Sequence, residues 1–93
     1  MATHEVQVVQ SAAFARSYKK LHHNRRLDVD AAVEKIVQDP LVGEPKRGDL
    51  AGTYVYKFKS QTQLVLLAYE FDPKTRYLLL LGSHENFYEQ LKR

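Results

Sequence analysis

Lys57 and Lys59 stand two residues apart in the stretch Tyr54-Val55-Tyr56-Lys57-Phe58-Lys59, and His84 and Tyr88 stand four apart near the C-terminus. Two ammonium groups, an imidazole and a phenol are a set suited to phosphodiester chemistry. Ammonium groups stabilise the extra negative charge of a pentacoordinate phosphorus. An imidazole can hand a proton to a leaving oxygen near neutral pH. A phenol can stack on a base or hold a ribose. No carboxylate cluster with metal-ligand spacing accompanies them, so the chemistry expected is metal-free and without a cofactor. Each residue alone also has an ordinary reading. The lysines can be a solvated strand face, His84 a surface or capping histidine, and Tyr88 a partly buried filler. The set acquires meaning only if the fold gathers it.

The elements that must do the gathering can be read in chain order. Tyr54 to Lys59 alternates as a strand does, with Tyr54, Tyr56 and Phe58 on one face and Val55, Lys57 and Lys59 on the other. On that geometry the two ammonium groups lie about 7 Å apart. Glu5 to Val9 reads as a short first strand. Ser11 is an N-cap candidate for a helix bearing Phe14, Tyr18 and Leu21, and the run His22 to Asn24 reads as its end. Val29, Ala32, Val33, Ile36 and Val37 fit the period of a second helix, with Asp28 as its candidate cap and Pro40 beyond its end. The short connection predicts an antiparallel helical hairpin.

Leu41 to Gly52, with Pro45 and three glycines, reads as a loop carrying Lys46 and Arg47. Three strands follow: Thr53 to Lys59, Gln63 to Phe71 and Tyr77 to Leu81. The near-continuous apolar run of the second predicts a central strand buried on both faces. Ser83, with Asn86 three residues on, is read as the cap of a last helix from His84 to Leu91. In that helix Phe87 and Leu91 face the core, while His84 and Tyr88 share another face. The expected fold is α+β. An N-terminal strand and a two-helix hairpin pack on a small antiparallel sheet, with a short C-terminal helix, all in a single domain spanning 1–93.

Composition bounds the partners. The chain has 93 residues, a net charge of +3 and no cysteine. Disulfides and thiolate chemistry are thereby excluded, and the charge favours an anionic partner. No apolar run approaches the ~20 residues of a membrane span, so no membrane role is expected and a cytoplasmic location is. His22 and His23 are adjacent, and neighbouring residues on a helix point apart, which argues against a metal pair.

These residues carry a resemblance. The chain resembles toxins of the RelE/ParE superfamily, from bacterial type II toxin–antitoxin modules, over nearly its whole length. The local marks are Leu50-Ala51-Gly52 ahead of Tyr56-Lys57-Phe58-Lys59, the apolar strand after it, and Leu81-Gly82-Ser83-His84 with Tyr88 beyond. The superfamily holds two activities on one fold. RelE-like members cut mRNA in the ribosomal A site, and ParE-like members inhibit DNA gyrase without catalysis.

The paired lysines, His84 and Tyr88 match the nuclease branch, His84 being YafQ-like. The resemblance therefore implies an endoribonuclease. Lys57 and Lys59 would stabilise the transition state, His84 would protonate the leaving oxygen and Tyr88 would orient the nucleotide. Lys46, Arg47 and Gln63 are the further RNA-contacting candidates, Gln63 standing where RelE carries an arginine. The partners implied are a cognate antitoxin, mRNA with the ribosome, and operator DNA through the antitoxin complex. The alternative implied is a ParE-like gyrase inhibitor.

Overall fold

The computed structural model describes residues 5–85 and 87–92. The elements are β1 (Gln7–Gln10), α1 (Ala12–Lys19), α2 (His23–Gln38), β2 (Glu44–Pro45), a 3-10 turn (Gly48–Leu50), β3 (Tyr54–Ser60), β4 (Gln63–Asp72), β5 (Thr75–Ser83) and α3 (Phe87–Lys92). The strands form one sheet in the order β1-β5-β4-β3-β2. The β3–β4–β5 meander is antiparallel, as is β2 against β3, while β1 pairs parallel with β5. The fold is the expected α+β, with a mixed rather than purely antiparallel sheet.

The helices form because their apolar residues recur on one stripe. Val29, Ala32 and Ile36 are buried on α2, as is Phe14 on α1. They meet Leu67, Tyr69, Leu78 and Leu81 on one face of the sheet, each large side chain contributing roughly 1.5–3 kcal/mol by leaving water. The other face is covered by α3, with Ala13 of α1 at its margin. Phe87 packs there against Val55, Leu66, Ala68 and Leu80. Strand β4 is therefore buried on both sides, and Leu66, Leu67, Ala68 and Tyr69 have no exposed surface.

Ser11 caps α1 as its type predicts. Its Oγ accepts from the Phe14 amide at 3.0 Å and donates to the Leu79 carbonyl at 2.6 Å. Leu79 is the residue left over where the β4–β5 register shifts, since Ala68 faces Leu80 and Tyr69 faces Leu78. The cap hydroxyl thus satisfies the carbonyl that a β-bulge would leave unpaired.

Four boundaries differ from the sequence reading. The helix α2 begins at His23 behind His22, so His22 to Asn24 opens α2 instead of closing α1. Asp28 is inside that helix, where its Oδ2 accepts from Ser60 Oγ at 2.8 Å, tying α2 to the end of β3. Strand β5 runs on to Ser83, so Ser83 is a strand residue and not a helix cap, and His84 precedes α3. Its proposed partner Asn86 lies outside the described residues. The loop before β3 contains β2, where Glu44 pairs with Val55 and Pro45 with Tyr54. Among the described residues no helix is long and apolar enough to cross a membrane.

Candidate active site

The sheet face under α3 carries most of the candidate residues. Side chains of directly paired residues in a sheet lie on one face, so Glu44 shares a face with Val55, and Lys57 follows two residues on. Across the sheet Lys57 faces Leu66, and Leu66 faces Gly82. A Cβ on Gly82 would touch Phe87 at 3.5 Å, so α3 rests directly over this row. Lys57, Lys59 and His84 are exposed and Tyr88 is half-buried.

Three side chains are brought together. The Lys46 amide donates to the Thr53 carbonyl at 2.9 Å, which extends the β2–β3 pairing by one residue. The Lys46 ammonium then lies 5.1 Å from the centroid of the Tyr88 ring. The His84 ring meets the same Tyr88 ring edge-on, with centroids 6.3 Å apart. Tyr88 in turn packs edge-on against Phe87 at 5.4 Å. A loop cation, an aromatic platform and an imidazole thus form one contiguous arrangement next to the strand of Lys57.

Glu44 belongs to this face and was not read from the sequence. Lys46 Nζ lies 2.9 Å from Glu44 Oε1. The Lys46 hydrogen bond holds the Glu44 carboxyl below its ordinary value, helped by the charges of Lys46 and, more weakly, Lys57. The same bond raises Lys46. Glu44 and Lys46 alternate as strand residues do, but Pro45 between them reads as a loop signal.

The remaining candidates are placed apart. Lys59 stands opposite Leu64 at the part of β3 that β2 leaves uncovered. It shares the face of Lys57, and its residue borders a groove with Asp28, Lys35, Tyr56 and Phe58 beside α2. Gln63 pairs with Ser60, not with Lys59, so it lies on the helix side of the sheet. There Arg25 Nη1 donates to Gln63 Oε1 at 2.6 Å. Gln63 is thus on the face opposite Lys57; the turn at Gln61, with φ of 60°, sets that register. Arg47 is exposed ahead of the 3-10 turn.

A family model for ParE-like toxins of type II bacterial toxin–antitoxin systems matches residues 8–92. No curated protein matches the chain. Several solved structures share the fold. A mutant of the Escherichia coli toxin RelE in the free state aligns with a TM-score of 0.73 and 16% identity, covering 95% of this chain and 93% of that one. The toxin–antitoxin complex RelBE2 from Mycobacterium tuberculosis aligns at 0.66 and 25% identity, covering 86% and 99%. YafQ from E. coli aligns at 0.61 and 15% identity, covering 86% and 94%.

Proposed function

Since this chain belongs to the ParE-like toxins of type II bacterial toxin–antitoxin systems, we propose that it acts as a metal-independent endoribonuclease that cleaves mRNA on the ribosome and is neutralised by a cognate antitoxin. The observation that supports this reading is the arrangement of Lys46, Tyr88 and His84 beside Lys57 on one open sheet face. A ligand with several negative charges and stackable bases fits such a face better than an apolar protein surface does.

The reaction is a transesterification. The ribose 2′-oxygen attacks the adjacent phosphorus, its proton passing to a basic group or water. The O2′–P bond forms as the P–O5′ bond breaks, leaving a 2′,3′-cyclic phosphate and a 5′-hydroxyl. Lys57, with Lys59 at the strand edge, offsets the charge gathering on the phosphoryl oxygens. His84, exposed at the end of β5, donates the proton that the departing 5′-oxygen needs. Tyr88 holds the nucleotide against its ring, and the Lys46 ammonium keeps that ring in place.

An antitoxin partner fits the solved relatives that are described as toxin–antitoxin complexes, RelBE2 among them. Operator DNA would be contacted through that complex. The second reading, a gyrase inhibitor without catalysis, has the ParE-like description of the family in its favour. Mapping the 5′ ends of a reporter mRNA after induction separates the two. The nuclease reading expects new 5′-hydroxyl ends within translated codons, lost in the His84→Ala variant. Intact mRNA with DNA damage and filamentation would replace it by the gyrase reading.

A further inference from the structure

A second concavity lies on the opposite side of the sheet, in the corner between α1 and α2. Its volume is about 300 Å³, at the small end of the ~300–1,000 Å³ of small-molecule sites. Leu21, Val65 and Leu81 supply an apolar lining, while Lys20 and Arg25 supply charge, and no carboxylate lines it. Arg25 is held at its position by its 2.6 Å hydrogen bond to Gln63. Among the described residues neither Lys20 nor Arg25 is paired with an acid. Lys20 is exposed and Arg25 half-buried, so both charges are open to an anionic, partly apolar ligand entering the slot.

The concavity adjoins the candidate active site around the end of the sheet. Ser60 and Ser83 line it; the next residue along the chain from each is a candidate catalytic group, Lys59 on the N-terminal side of Ser60 and His84 on the C-terminal side of Ser83. Consecutive Cα atoms are 3.8 Å apart. His84 thus follows directly on the corner's lining, and an RNA strand held at His84 can round the end of the sheet into it.

On the basis of the nuclease reading, we infer that this corner is a subsite for the nucleotide next to the scissile phosphate. The base enters between Leu21, Val65 and Leu81, and Lys20 and Arg25 hold the phosphate. An unstacked base and its phosphate match an apolar slot with cations at its mouth. An acidic peptide would use the cations and leave the slot empty.

The test is fluorescence anisotropy with the full chain and a labelled RNA hexamer methylated at every 2′-oxygen, which cannot be cut. Arg25→Ala and Lys20→Ala should each weaken binding roughly three- to tenfold, and each should lower the salt slope of log affinity by about 0.7. A hexamer lacking the base at the flanking position should lose a similar factor with the wild type and little more with Arg25→Ala. Both residues are on the surface, so two independent variants guard against a folding artefact. If both bind the hexamer as the wild type does while Lys57→Ala weakens it, the subsite is wrong and the nuclease reading stands. If the wild type binds no RNA, or Lys57→Ala is also without effect, the nuclease reading falls and the subsite with it. Capture of an acidic peptide through Arg25, with no Arg25 dependence for RNA, would likewise overturn the subsite.

Discussion

The Lys46 ammonium stands 5.1 Å from the centroid of the Tyr88 ring, and this contact ties the β2 edge to α3 across the face that carries Lys57. Forty-one residues of chain lie between the two. A six-residue helix has little stability of its own, so its position depends on what holds it. Phe87 holds it from below, and Lys46 holds Tyr88 from the side.

Replacing Lys46 by alanine should therefore loosen α3 without unfolding the domain. The expected loss is about 0.5–1 kcal/mol, the worth of a cation over an exposed ring. Lys46→Arg should retain it. Tyr88 ring resonances report the change directly. Unshifted resonances in Lys46→Ala, with an unchanged melting curve, would reject the tie.

The same tie sets a pH dependence. Glu44 pairs with Lys46, and that hydrogen bond holds its carboxyl below the ordinary value of 4.5. A depressed carboxyl contributes stability above its unfolded pKa and loses it as pH falls through the folded one. Tyr88 should keep its environment from neutral pH down to about 4.5 and change it only below. Glu44→Gln should remove that acid transition. An acid transition of Tyr88 that persists in Glu44→Gln would show that another group drives it.

Tyr88 itself separates packing from chemistry. Tyr88→Phe keeps the ring that meets His84 and Phe87 and should leave stability within about 0.5 kcal/mol. Tyr88→Ala removes the platform and should lower cutting of a reporter mRNA about tenfold or more, as loss of a stacked base contact of ~1–3 kcal/mol would. Equal cutting by Tyr88→Ala and the wild type would deny the ring a role with RNA.

Tyr69 carries the loop that leads to β2. Its hydroxyl donates to the Pro40 carbonyl at 2.6 Å and accepts from the Gly43 amide at 2.9 Å. Tyr69→Phe should cost about 1–3 kcal/mol, because both backbone groups lose their partner. Burial raises the phenol above its ordinary value of 10.0. A raised phenol stabilises the fold below pH 10.0 and loses that contribution as pH rises through the folded value, so Tyr69→Phe should flatten the alkaline decline. Gly43→Ala attacks the same contact, since its Cβ would lie 2.7 Å from the Tyr69 oxygen. Urea unfolding across pH 8–11 checks all three.

What was legible in the chain was period, and what was not was pairing. The stripe of Val29, Ala32 and Ile36 is buried as its spacing demands. The two faces of β3 are those that alternation assigns. Lys57 is therefore where the sequence puts it. The face of Gln63 could not be read, because it depends on the number of residues in the turn. With Gln61 and Thr62 between them, Ser60 faces Gln63, and one residue more or less would have flipped it. The two residues of β2 are too few for any periodic signal, so Glu44 escaped notice. The end of β5 escaped for a related reason: Gly82 and Ser83 have the composition of a break, yet both pair with β4, Gly82 with Leu66 and Ser83 with Val65.

Arg76 yields the last prediction, and the only one remote from the proposed chemistry. It is 5% exposed and has a guanidinium with no carboxylate partner among the described residues. Its Nε and Nη2 donate to the carbonyls of Ile36 and Val37, each at 3.1 Å, and its Nη1 donates to that of Asp72 at 2.8 Å. The carbonyls of Ile36 and Val37 are in the last turn of α2, where a cation also complements the helix dipole. One side chain thus seals the helix end and anchors the β4–β5 turn to it. Arg76→Met conserves the apolar stem and removes every donor, so it should cost about 2–4 kcal/mol in urea unfolding. Arg76→Lys should recover less than half, since an ammonium cannot span carbonyls on both elements. Because Arg76 points to the helix side of the sheet, RNA cutting per folded molecule should be unchanged in both. Stability of Arg76→Met within 0.5 kcal/mol of the wild type, the range of a neutral surface change, would mean that water satisfies those carbonyls as well as the guanidinium does.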